Sequence, residues 1–171
     1  MNDLTLHLHA TAPLAKKIGG FTEQGRVTEP ALLDTWYATL IRRRRPRVIA
    51  VNPNTLATVI VSLAPAAAIT QTLLYAIGEH LAQRGAPAGF AEEHVPTLGN
   101  DSVILKTADR RMVGILNRRV LYTEQFALEG EDQWESIAHW MTDDLTSVPG
   151  GGYVRGADLL ADAFKNWERG R

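Results

Sequence analysis

The chain has 171 residues, of which 45% are hydrophobic and 22% charged, values ordinary for one globular unit and unlike those of a disordered chain. Eighteen lysines and arginines against 19 acidic residues leave a formal net charge of −1, so no global field holds a polyanion and any nucleic-acid contact must be local. Cysteine is absent, which excludes disulfides and thiolate metal sites. The longest apolar stretch, 56–69, is interrupted by Thr58, Ser62 and Pro65 and falls short of the roughly 18 apolar residues of a membrane span. The opening Met1-Asn2-Asp3 shows no secretory leader, so a bacterial cytoplasmic protein is expected.

In chain order, Leu4-Thr5-Leu6-His7-Leu8-His9-Ala10 alternates with period two, as a half-buried strand does. Thr11 is placed to cap a short helix over 12–18 that Gly19-Gly20 ends. Residues 21–29 are expected to form a loop. From Pro30, Leu32, Leu33, Trp36, Tyr37, Leu40 and Ile41 recur at three- and four-residue spacings before an arginine run, which predicts a helix stopped by Pro46. The β-branched runs 47–51 and 55–63 flank Asn52-Pro53-Asn54 and predict a hairpin of two central strands.

Residues 66–84, bounded by Pro65 and Gly85, predict a helix across the sheet. A further strand is expected over 102–107, then a helix from Arg110 to about Phe126 capped by Asp109. An amphipathic helix over 131–145, a Pro149-Gly150-Gly151-Gly152 loop and a last helix over 157–167 complete the chain. The fold expected is α/β (α+β): a mixed, partly antiparallel sheet covered by helices, with a helical C-terminal third. One domain is expected over 1–171, an α/β part over 1–128 with a helical extension over 129–171 packed on it.

Leu8-His9-Ala10-Thr11, Asp34-Thr35-Trp36-Tyr37-Ala38, Val51-Asn52-Pro53-Asn54-Thr55-Leu56, Lys106-Thr107-Ala108-Asp109-Arg110-Arg111-Met112-Val113-Gly114-Ile115-Leu116-Asn117 and the Pro149 segment occur in that order. Together they resemble an uncharacterised bacterial family, domain-of-unknown-function family 6933, over most of the chain. The fourth stretch is the most specific and is similar to that family's strand-to-helix signature; the others are weak alone. The chain departs from the family pattern at Pro13, where the family carries Lys, and at Arg118, where the family carries an acidic residue. The resemblance implies the fold and carries over no catalytic residue.

The residues themselves point to the strand-to-helix junction, where Arg110, Gly114 and Asn117 share one helical face. A helical glycine costs about 1 kcal/mol relative to Ala and invites a reason. Lys106, Thr107 and Asp109 stand beside the free N–H groups of the helix start, a place that favours phosphate or carboxylate. The competing account is structural: Asp109 satisfies those donors, Gly114 permits close packing, and Arg110 and Asn117 tie down a loop.

Arg42, Arg43, Arg44 and Arg45 with Arg47 form the one dense positive cluster, from which weak, salt-sensitive nucleic-acid binding is expected. Such arginines also suit a helix C-terminus, with Trp36 and Tyr37 in the core. His7 and His9 lie on one side of the first strand without an identifiable third ligand, and no metal or cofactor is expected. The glycines after Pro149 read as a mobile connection or lid; Glu92-Glu93-His94 and Asp143-Asp144 read as surface charge.

A binding or accessory module with an anion-binding junction is therefore the leading expectation. A small hydrolase or transferase acting on a phosphorylated or carboxylated substrate, using Lys106, Asp109, Arg110 and Asn117, is the alternative. A protein-interaction or dimerisation domain using Trp134 and Trp140 is the third.

Overall fold

The computed structural model describes residues 3–22, 31–99, 101–126 and 133–171. Most of the loop expected over 21–29, and the start of the helix expected from Glu131, lie outside the described residues.

Five strands form one sheet in the order β4-β3-β2-β1-β5. β1 (Leu6–Ala10) runs parallel to both neighbours, β2 (Thr35–Ile41) and β5 (Ser102–Lys106). β3 (Arg47–Val51) and β4 (Thr58–Ser62) complete the sheet as antiparallel partners. Short connections dictate this mixture, since a tight loop can only return a strand antiparallel whereas parallel pairs need a crossover. The first crossover passes through α1 (Ala12–Lys17), and the second through α2 (Ile69–Gln83) and α3 (Phe90–His94).

Alternate strand residues serve two apolar layers. Leu8, Trp36, Ala38, Val48 and Val61 pack with α1, α2, α3 and α6 (Gly156–Arg169). Ile41, Ile49, Val51 and Ile60 pack with α4 (Arg110–Phe126) and α5 (Trp134–Asp143). The mixed α+β sheet covered by helices is thus present, with 47–51, 58–62 and 102–106 in one sheet as expected.

Four expectations need correction. The helix predicted from Pro30, which itself lies outside the described residues, is over 35–41 the strand β2, at the centre of the sheet, while β4 of the expected central hairpin is an edge. Asp34 turns the chain into β2, its carboxylate accepting from the Ala31 backbone N–H at 2.9 Å and the Thr35 hydroxyl at 2.9 Å. β1, expected to be half-buried, is covered on both faces, with His7 only 5% exposed. Thr11 stands at the start of α1 but makes no side-chain cap bond, its hydroxyl pairing with that of Thr39 at 2.9 Å. Finally, the Pro149 segment is the turn of a hairpin, β6 (Leu145–Val148) with β7 (Gly152–Arg155), set between the two C-terminal helices.

α6 begins against the loop that joins β3 to β4. A Cβ on Gly156 would lie 2.8 Å from the Thr142 carbonyl oxygen, 2.9 Å from that of Thr55 and 3.1 Å from that of Leu56. All three are backbone atoms, so relief requires moving α6, α5 or the loop. Gly156→Ala is expected to cost about 1–3 kcal/mol as overpacking, read as a lowered urea midpoint. An unchanged midpoint would show that α6 shifts freely.

Candidate functional site

The strand-to-helix junction has the expected local form. The Asp109 carboxylate accepts from the backbone N–H groups of Arg111 at 2.9 Å and Met112 at 3.2 Å, which satisfies two of the donors that α4 would offer an anion. An anion site centred on the helix start therefore has little left to use. The six junction residues separate instead into two groups. Lys106, Thr107 and Asp109 belong to the end of β5 and the region of His9 and Tyr37. Arg110 and Gly114 face a cleft further along α4, and Asn117, exposed on the same helix, is not among that cleft's lining residues.

This cleft, of about 260 Å³, lies between α4 and the hairpin of β6 and β7. Arg110, Arg111, Arg118 and Arg119 line it, with Asp144 the single acid among its described lining residues. Gly114 is exposed, and a Cβ there would meet nothing within 4 Å, so its effect is to leave the cleft wall low rather than to admit close packing. The Thr146 and Ser147 side of β6 forms the opposite wall.

Arg119 is the unusual member. It is 3% exposed, yet among the described residues its guanidinium hydrogen-bonds only to neutral oxygens, the Leu56 carbonyl at 3.1 Å and the Thr146 hydroxyl at 3.4 Å, with the Asp144 charge acting on it without contact. Burial lowers its pKa to about 10, so it stays cationic at neutral pH. Arg118 donates to the Tyr122 hydroxyl at 2.9 Å and lies 3.8 Å from Asp144. One carboxylate at that distance leaves the positive charge of the cleft largely uncompensated.

A family model described as a domain of unknown function, DUF6933, matches residues 7–158. The chain belongs to the DUF6933 family. No curated protein and no solved structure matches it. The matched span runs from β1 to the first turn of α6, and so includes the whole sheet and the arginine cleft.

A second polar group of this DUF6933 protein sits where parallel β1 and β5 end. The His9 and Tyr37 rings stack with centroids 4.5 Å apart on paired positions of β1 and β2. Burial is the largest influence on His9 and holds its pKa below the usual value, against a backbone hydrogen bond at Lys106 and the Asp109 charge. Burial, then Asp109, raises Tyr37. The Thr107 hydroxyl oxygen is buried without a hydrogen-bond partner among the described residues, as is His7 Nδ1, which lies 3.7 Å from the buried Asp34 carboxylate.

The remaining candidates are mostly committed elsewhere. Arg42 to Arg45 form the turn between β2 and β3 rather than a helix end. Arg43 donates to the Thr123 carbonyl of α4 at 2.9 Å, and the Arg43 and Arg47 guanidiniums lie 5.5 Å and 4.9 Å from the Trp134 ring centre. Trp134 is thereby buried, whereas Trp140 is 45% exposed and meets Tyr122 edge-on. Glu93 accepts from the Trp167 indole and Arg171, both on or beyond α6. No group of three or more histidine or acidic side chains placed to hold a metal occurs among the described residues. No helix among them is long and apolar enough to cross a membrane.

Sequence reasoning found Arg110 and Gly114 but missed Arg111, Arg118, Arg119 and the β6 wall. A signal was available: two arginine pairs eight residues apart on one helix, about two turns, return to neighbouring faces.

Proposed function

We propose that this protein is a binding or accessory module that captures a small molecule bearing a phosphate or carboxylate group in the cleft beside α4. The observation that carries the reading is Arg119, a buried cation without a carboxylate in contact, set among three further arginines. Removing a charge from water is expensive unless something compensates it, and an anionic ligand would do so. Planar guanidiniums suit phosphate and carboxylate oxygens through paired hydrogen bonds, and the Ser147 and Thr146 hydroxyls border the same space. We place the module in the bacterial cytoplasm, in keeping with a chain without cysteine.

Calorimetric titration with inorganic phosphate and pyrophosphate tests the proposal. Saturable binding is expected, weakened about tenfold or more by Arg110→Ala, in line with the loss of about 1.5–3 kcal/mol for a charged hydrogen bond. The melting temperature should barely move, because Arg110 is exposed. Affinity unchanged in Arg110→Ala and in Arg118→Ala alike would sink the proposal.

The enzyme alternative draws support from a separate observation, the neutral His9 imidazole stacked on Tyr37 near Asp109. An imidazole held neutral serves as a general base, so a hydrolase or transferase would carry its proton transfer there rather than among the arginines.

A further inference from the structure

On the far side of α5 lies a second cleft, of about 250 Å³, between α2, α5 and β4. Its floor is apolar, formed by Val59, Ile60, Ala76 and Ala138. Its polar atoms have an opposite character to those of the arginine cleft, and their protonation states follow from the hydrogen bonds.

Thr142 sets His80. The Thr142 hydroxyl donates to the Ala138 carbonyl at 3.0 Å and accepts from the Thr58 backbone N–H at 3.1 Å. Donating to Ala138 while accepting from the Thr58 N–H and from His80 Nε2, 3.2 Å away, is the arrangement that satisfies all three contacts of this hydroxyl. In that arrangement His80 carries its proton on Nε2 and Nδ1 is an acceptor, on a side chain only 5% exposed. Burial, then His139 and Arg84, lower its pKa to about 3, so the ring is neutral at any physiological pH.

Arg84 sets His139 in the same way. Its Nε donates to His139 Nδ1 at 3.0 Å, so His139 is protonated on Nε2 and donates to the Gln83 side-chain oxygen. Gln83 in turn donates to the Glu135 carboxylate. The remaining Arg84 donors go to the His139 carbonyl and the Asp143 carboxylate. The two imidazoles stack with centroids 4.3 Å apart.

Arg84 Nε, one N–H on each of its terminal nitrogens, one Gln83 amide N–H and His139 Nε2 are thus engaged inside the protein. Among the described residues lining the cleft, Glu79, the Glu135 carboxylate and His80 contribute acceptors. Exposed Tyr75 borders the same cleft.

We infer that this cleft binds an organic cation, an alkylammonium or guanidinium on a short apolar stem, with the stem on the Val59, Ile60, Ala76 and Ala138 floor and the charged head at Glu79, Glu135 and His80 Nδ1. Two carboxylates and an imidazole nitrogen disfavour anions and leave a neutral alcohol with a single bond to offer. A stem of a few methylenes matches the cleft's volume and apolar floor, and Tyr75 adds a ring face that attracts cations. The same chemistry is carried by a free polyamine-like molecule and by a lysine or arginine side chain of another protein. The inference is independent of the arginine cleft.

Titration of the intact protein with agmatine, n-butylamine and n-butanol tests it, by calorimetry and by the His80 and His139 ring proton shifts. Saturable binding of both cations and none of butanol is expected, with both ring signals moving. Glu79→Gln, at an exposed residue, is expected to weaken agmatine at least about tenfold, and Ala76→Leu to abolish binding by filling the floor. N-acetylarginine amide separates the sources: binding equal to agmatine assigns a protein side chain, and rejection assigns a free amine. No saturable binding of either cation, butanol binding as well as butylamine, or wild-type agmatine affinity in Glu79→Gln overturns the inference.

Discussion

Asn52→Ala is expected to destabilise the protein by about 3–5 kcal/mol, the sum of a few buried polar groups left unmet at about 1–3 kcal/mol each. Asn52 is fully buried at the end of β3. Its amide donates to the Leu32 and Thr35 carbonyls, each at 3.0 Å. Its side-chain oxygen accepts from the backbone N–H groups of Asn54 at 3.0 Å and Thr55 at 2.8 Å, and from the Thr55 hydroxyl at 2.9 Å. One side chain thus shapes the turn into β4 and fastens it to the segment that enters β2. Exposed Asn54 can turn to water after the substitution, but Thr55, 1% exposed, cannot.

The same loop carries Leu56 at φ 56°, in the left-handed region, and offers its carbonyl to Arg119. The stability of the Asn52 turn therefore bears on the arginine cleft. Asn52→Ala should lower the urea midpoint and weaken phosphate binding together, whereas Arg110→Ala should weaken binding alone. Asn52→Asp keeps the acceptor half and loses the donors, and an intermediate midpoint is expected. A loss below about 1 kcal/mol for Asn52→Ala would mean that water replaces the side chain and that the turn is held by its backbone bonds.

What could be seen in the sequence followed from how local each signal is. The β3–β4 hairpin, α2, and the passage from β5 into α4 are written in contiguous residues, with Asn52-Pro53-Asn54 at the turn and Asp109 at the cap. Strand β2 was not legible, because Leu32, Trp36 and Leu40 are spaced by four. That interval returns to one face in a helix and also, being even, in a strand. The alternation of Thr35, Tyr37 and Thr39 with Trp36, Ala38 and Leu40 did mark a strand, but it spans few residues and is outweighed by the four-residue spacing that extends back to Leu32. The arginine cleft was half legible: Arg110 and Gly114 share a helix face, but the β6 wall comes from a segment 27 or more residues on, and Arg119 reads as one more charged residue until its burial is known. The amine cleft depends on tautomers set by Thr142 and Arg84 across two elements, and no spacing in the chain encodes that.

Trp36→Ala is expected to cost about 3–5 kcal/mol, the range for truncating a large aromatic in a packed core, and to lower the melting temperature by about 10 °C for a domain of this size. Trp36 is 1% exposed, lies beside Leu8 of β1 in the larger apolar layer, and donates its indole N–H to the Leu33 carbonyl at 2.9 Å. A buried tryptophan gives this loss in a helix or a strand, so stability alone does not report which element it occupies. Its neighbour does. In β2 the two side chains point to opposite faces, Trp36 toward α1 and α2 and Tyr37 toward His9 and the α4 layer. On a helical stripe they would be adjacent and would share partners. Tyr37 is half-buried, so Tyr37→Ala should cost less than Trp36→Ala and should shift the His9 ring protons, which Trp36→Ala should leave nearly in place. Having no common partners, the two substitutions should be additive to within about 0.5 kcal/mol in a double-mutant cycle. A coupling above about 1 kcal/mol would place both side chains in one cluster, and would count against β2 as the strand that brings Tyr37 to His9.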